Sequence, residues 1–113
     1  MTRTVILGGA RTPFGVLGGK LKDKPAVELG ATAIRAALER TGVGPADVDN
    51  VIMGMVVQAG AGQIPSRQAS MAAGLPETVT SETINKVCAS GMRAVNLGDA
   101  LIRAGEADVV VAG

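Results

Sequence analysis

Cys88 comes first, because a thiol is the strongest nucleophile this chain offers. It is the sole Cys, and the sequence holds no His. A Cys at the start of a helix lies among residues whose backbone amides lack helical partners. The positive helix end stabilises negative charge on sulfur, and Lys86 adds a nearby cation. Ala89, Ser90 and Gly91 are small and leave room for a bulky acyl group on that sulfur. A helix end contributes only about 0.3–1 kcal/mol, so a working nucleophile here needs a base from elsewhere, and the chain has no His to give. A free Cys is also among the most buried residue types and commonly inert. The residues alone leave both readings open.

Other candidates carry less. Gly60-Ala61-Gly62-Gln63-Ile64-Pro65 begins like a dinucleotide fingerprint, but Pro65 stands where the third Gly belongs, so a plain strand-to-helix turn fits better. Asp47, Asp49 and Asn50 suggest a cation, yet read more simply as solvated loop charges. Arg11 and Arg67 have the chemistry to bind an anion, although a lone loop Arg is more often surface or interface.

Composition bounds the function class. The chain has 113 residues, 47% of them hydrophobic, with 16 glycines and only 19% charged. That is too apolar for a disordered tail. A net charge of +1 and a single aromatic, Phe14, offer neither a field nor stacking platforms for nucleic acid or anionic lipid. One Cys forbids an internal disulfide and fits a reducing compartment. The N-terminal residues lack the pattern of a secretory or transit peptide. Asn50 to Ser66, the longest uncharged stretch, is too short and polar to span a bilayer. The expectation is a cytoplasmic protein with no membrane contact.

The elements that carry these residues alternate. Val5-Ile6-Leu7, closed by Gly8-Gly9, reads as a buried strand, followed by a loop at Arg11 to Gly15. Pro25 opens a helix with Val27, Ala31, Ile34 and Leu38 on one face, and Gly42 stops it. Pro45 to Val48 forms one more turn. Val51 to Val57 is a strand covered on both faces. A second helix runs from about Pro65 to Ala73, ended by Gly74 and Pro76, and a weak strand follows at Thr78 to Ile84. The third helix spans about Cys88 to Ala104 with Gly105 as cap, and a strand at Asp108 to Val111 closes the chain. That third helix is apolar round most of its circumference and reads as buried. Gly91 and Gly98 within it each cost about 1 kcal/mol of propensity, which predicts close backbone packing. The pattern is α/β with a parallel or mixed sheet. The stop at Gly113, straight after an apolar strand, predicts a truncated domain.

The stretch Asn85-Lys86-Val87-Cys88-Ala89-Ser90-Gly91-Met92-Arg93-Ala94 closely resembles the thiolase family, its acetyl-CoA acetyltransferases in particular. Ala10 to Gly15, Gln58 to Gln63 with Arg67-Gln68-Ala69, and Val109 to Gly113 are similar to other parts of the same family. The resemblance implies a layered αβαβα fold, of which residues 1–113 are only the first part of the N-terminal domain. It implies a homodimer or homotetramer, no tightly bound cofactor, and coenzyme A thioesters as substrates. Cys88 matches the nucleophile that takes an acyl group, and its backbone N–H matches one oxyanion-hole donor. The family's activating His, second Cys and Asn-bearing oxyanion segment lie beyond Gly113. The implied reaction is ping-pong Claisen chemistry that forms or cleaves acetoacetyl-CoA, with this chain alone inactive. Alternatives are a broad-chain 3-ketoacyl-CoA thiolase and a non-catalytic, thiolase-like carrier or scaffold. Ketoacyl and hydroxymethylglutaryl-CoA synthases surround their Cys differently. One departure is Ile64, where relatives commonly have Asn before the Pro; the change forfeits a helix cap worth about 1 kcal/mol.

Overall fold

The computed structural model describes residues 3–113. The first helix, α1 (Ala26–Thr41), starts where Pro25 has its fixed φ of −59° and stops where Gly42 turns left-handed at φ 71°, its N–H donating to the Leu38 carbonyl. Ala31, Ile34 and Leu38 fall on one stripe and are buried. A single 3-10 turn at Pro45–Asp47 leads into β1 (Asn50–Gly54). The order continues through α2 (Pro65–Ala72), β2 (Thr80–Ile84), α3 (Ser90–Ala104) and β3 (Val110–Ala112).

The three strands form one parallel sheet in the order β2-β1-β3. Asn50 of β1 lies opposite Thr80 on one side and Val110 on the other. Val51 and Ile52 are successive residues pointing to opposite faces, and both have 0% exposure, so β1 is covered on both sides. On one face Val51 packs in a cluster with Ile34, Leu38, Ala69, Leu75 and Val79, which fastens α1 and α2 to the sheet. On the other face lies α3. There a Cβ on Gly98 would stand 3.2 Å from Val110 Cγ1. The bare glycine lets the helix backbone settle on β3, as its propensity cost predicts. A Cβ on Gly91 would meet its nearest atom, the Gly113 carbonyl carbon, at 3.6 Å, an ordinary contact, so the close packing expected there is not what this glycine's missing side chain provides. The result is a layered α/β fold: two helices, a parallel sheet, and a third helix. Among the described residues, no helix is long and apolar enough to cross a membrane.

Four expectations need correction. The strand expected over Val51 to Val57 ends at Gly54, and Val56 and Val57 are 43% and 76% exposed in the loop beyond it, where neither neighbouring strand continues to pair. Val5, Ile6 and Leu7 are not a buried strand; they are 66%, 81% and 65% exposed and join no ladder among the described residues. They line a groove of about 420 Å³ shared with α1, α3 and β3, so the segment lacks a neighbour within hydrogen-bonding reach. The third helix begins at Ser90 rather than Cys88, because the chain makes a tight turn there first. Nor is it wholly buried. Only Ser90, Ala94 and Gly98 are covered, while Met92 is 68% exposed, because the sheet supplies a surface for one side alone.

Candidate active site

In parallel α/β sheets, loops leaving the carboxyl ends of the strands are where reactive groups collect. Two such loops meet here. Residues 55–64 leave β1 at Gly54, and residues 85–89 leave β2 at Ile84. The Met55 N–H donates to the Ile84 carbonyl at 2.9 Å, and Asn85 Nδ2 donates to the Val56 carbonyl at 3.1 Å. The first loop is tied down further by Gln68, whose Nε2 donates to the carbonyls of Ala61 and Gln63 at 2.8 and 2.9 Å.

Cys88 sits at the tip of the second loop with its thiol exposed, two residues ahead of α3. Val87, just before it, has φ 50°. A β-branched residue rarely adopts that left-handed geometry, which costs an L-residue roughly 1–2 kcal/mol. The surroundings hold it there. The Val87 N–H donates to Asn85 Oδ1 at 2.9 Å. The Val87 carbonyl accepts the Ser90 N–H at 3.1 Å and the Ser90 hydroxyl at 2.6 Å. Ser90 Oγ in turn accepts the Lys86 N–H at 2.9 Å, and the Ala89 N–H donates to the Lys86 carbonyl at 3.1 Å. The turn 86–90 is therefore braced on both sides of Cys88, whose own N–H has no acceptor among the described residues. Ser90 is itself 5% exposed and pressed against β1, where a Cβ on Gly54 would lie 2.5 Å from Ser90 Cβ.

The other candidates have structural employment. The Asp49 carboxylate accepts the Asp108 and Val109 N–H groups at 2.7 and 2.9 Å. Those bonds, Val109's foremost, hold its carboxyl below the usual carboxylate range. No group of three or more metal-ligating side chains exists among the described residues. The Arg67 guanidinium donates to the carbonyls of Val79 and Glu77, closing the loop between α2 and β2. Arg11 lies exposed over the Phe14 ring, 5.1 Å from its centroid.

Helix α2 answers the expectation that Ile64 forfeits a cap. Ile64 is its N-cap residue, makes no side-chain cap, and has φ 41°. The missing cap comes from across the sheet. Thr83 Oγ1 accepts the Ser66 N–H at 3.0 Å and donates to Ser66 Oγ at 2.8 Å. Thr83 thus caps α2, whereas α3 has no side-chain cap at all. Sequence reasoning missed Ser90 and Gly54. A Gly inside an apolar strand does signal close backbone approach, and Gly54 marks where α3 touches down; nothing in the sequence announces the Ser90 bridge.

A comparison with known families matches residues 4–113 to the thiolase N-terminal domain. The chain is 58% identical over 113 residues to a "Probable acetyl-CoA acetyltransferase" of Mycobacterium leprae, covering 100% of this chain and 29% of that protein. Identity is also 58% over 109 residues to the protein of the same description in Mycolicibacterium smegmatis, covering 96% and 28%. It is 51% over 113 residues to a "Probable acetyl-CoA acyltransferase" of Staphylococcus aureus, covering 100% and 29%. The chain thus spans under a third of the length of these relatives. With the match running through both loops and the exposed thiol at the tip of the second, the chain belongs to the thiolase family.

Proposed function

We propose that this chain carries the acyl-accepting thiol of an acetyl-CoA C-acetyltransferase, as the first part of that enzyme's N-terminal domain. The observation that carries the reading is Cys88: an exposed thiol on a braced turn, beside an N–H with no acceptor among the described residues, where two loops leave the carboxyl ends of a parallel sheet. The relatives' descriptions supply the substrate class, coenzyme A thioesters.

In this reaction the Cys88 sulfur attacks the carbonyl carbon of acetyl-CoA, and negative charge gathers on the carbonyl oxygen. The Cys88 N–H supports that charge as one donor of an oxyanion hole. The C–S bond to coenzyme A then breaks, its thiolate leaves with a proton, and the acetyl group stays on Cys88 as a thioester. A second acetyl-CoA, deprotonated at its α-carbon, attacks this thioester. Acetoacetyl-CoA departs and the Cys88 thiolate returns. Since the chain holds no His, the groups that move protons come from other parts of the protein, which works as a homodimer or homotetramer.

The Staphylococcus aureus relative, described as an acyltransferase, favours a second reading in which longer acyl chains are accepted. Steady-state cleavage of 3-ketoacyl-CoA substrates of increasing chain length by the complete protein separates the two. A sharp preference for acetoacetyl-CoA supports the first, and equal rates on longer chains support the second. Loss of turnover in Cys88→Ala is required by both.

A further inference from the structure

We infer that Ser90 is a positioning residue for acyl transfer, acting by aiming the Cys88 N–H. The inference rests on the reading of Cys88 as the acyl acceptor. The Val87 carbonyl and the Cys88 N–H belong to one trans peptide plane and point in opposite directions. Whatever holds the carbonyl sets the direction of the N–H. Here the Ser90 hydroxyl holds it at 2.6 Å, with the Ser90 N–H as a second donor at 3.1 Å. Accepting these bonds also polarises the peptide and strengthens its N–H as a donor.

The plane needs holding because Val87 does not favour its own conformation. At φ 50° its branched side chain crowds the backbone. Without the brace, Val87 relaxes toward an extended geometry, and the peptide that carries the Cys88 N–H turns with it. Ser90 can act as an anchor because it is itself fixed: it is 5% exposed and starts α3, and its Cβ lies where only a bare Gly54 leaves room. Asn85 Oδ1 restrains the other end of Val87 by accepting its N–H.

The test uses the complete protein with two reactions at one sulfur. Acetyl transfer from acetyl-CoA builds negative charge on an oxygen beside the N–H; alkylation by iodoacetamide, a displacement at saturated carbon, does not. Losing an oxyanion donor outright costs about 100- to 1,000-fold. A misdirected donor in Ser90→Ala is expected to slow single-turnover acetylation of Cys88 by at least ~10-fold, with alkylation changed less than about twofold. Adding Val87→Gly, which adopts positive φ freely, is expected to restore most of the lost rate. If Ser90→Ala does not yield folded protein, Ser90→Cys, which keeps the buried side chain's size but holds the Val87 carbonyl with a far weaker donor, carries the same comparison, with both reactions read at Cys88. Unchanged acetylation overturns the inference, as does an equal fall in both reactions or no recovery with Val87→Gly. Full acetyl transfer by Cys88→Ala would instead overturn the reading of Cys88 itself, so the two failures are distinguishable.

Discussion

Thr83→Val removes a hydroxyl while keeping the side chain's shape, and so isolates the cap that reaches α2 from the neighbouring strand. Ser66 is 1% exposed, so its N–H loses its one partner among the described residues in a site closed to water. An orphaned buried donor costs about 1–3 kcal/mol, and losing the second bond, to Ser66 Oγ, adds about 1 kcal/mol. The Ser66 hydroxyl recovers part of that by turning to a carbonyl of its own helix, leaving a net cost of about 2–3 kcal/mol. At 1.4 kcal/mol per tenfold, this is a loss of about 30- to 150-fold in local protection. Native-state hydrogen exchange at the Ser66 amide reads it directly. Ser66→Ala leaves the N–H bond in place and is expected to cost about 1 kcal/mol, less than Thr83→Val. Protection of the Ser66 amide within twofold of the parent in Thr83→Val would refute the cap.

Ile64→Asn replaces a branched residue at φ 41° with one that tolerates it, and is expected to stabilise the protein by about 1 kcal/mol, read as a higher unfolding temperature. Gly54→Ala forces a methyl to within 2.5 Å of Ser90 Cβ; a loss of about 1–3 kcal/mol or more in urea unfolding is expected, with slower acetylation of Cys88. The Asp49 carboxyl is held below its usual range by the Val109 and Asp108 amides. Its contribution is therefore full above the unfolded value of about 3.9 and is lost as pH falls through the lower folded value. Asp49→Asn is expected to remove that part of the acid dependence, seen as a shallower fall in unfolding midpoint below about pH 4.

What the sequence disclosed, and what it withheld, follows from the range of the forces involved. Helix α1 was legible to the residue at its stop because Gly42 is a local device. Strand β1 was legible as doubly covered at Val51 and Ile52 because an apolar run admits few other uses, but the same run gave no sign that pairing stops at Gly54 and leaves Val56 and Val57 exposed. Val5 to Leu7 looks identical in pattern, yet its state depends on a neighbour, and pattern cannot report whether one is in reach. The same limit applies to Cys88. Its type and small neighbours were visible, but the two-residue offset from α3 arises from the left-handed Val87. That geometry exists only because Ser90, Asn85 and a bare Gly54 converge on it from different elements. Thr83 shows how capping crosses between elements: it lies next to the region of α3 in sequence but serves α2 in space.

The proposed acyl transfer depends on the sulfur of Cys88. Brief exposure of the complete protein to radiolabelled acetyl-CoA, followed by proteolysis and mass spectrometry, locates any acetyl group that has left coenzyme A. The expected result is a base-labile acetyl thioester on the peptide containing Cys88, formed as fast as or faster than overall turnover and discharged when more acetyl-CoA is added. A protein that turns over at its full rate with no acetyl group on Cys88, or with Cys88 replaced by Ala, contradicts it.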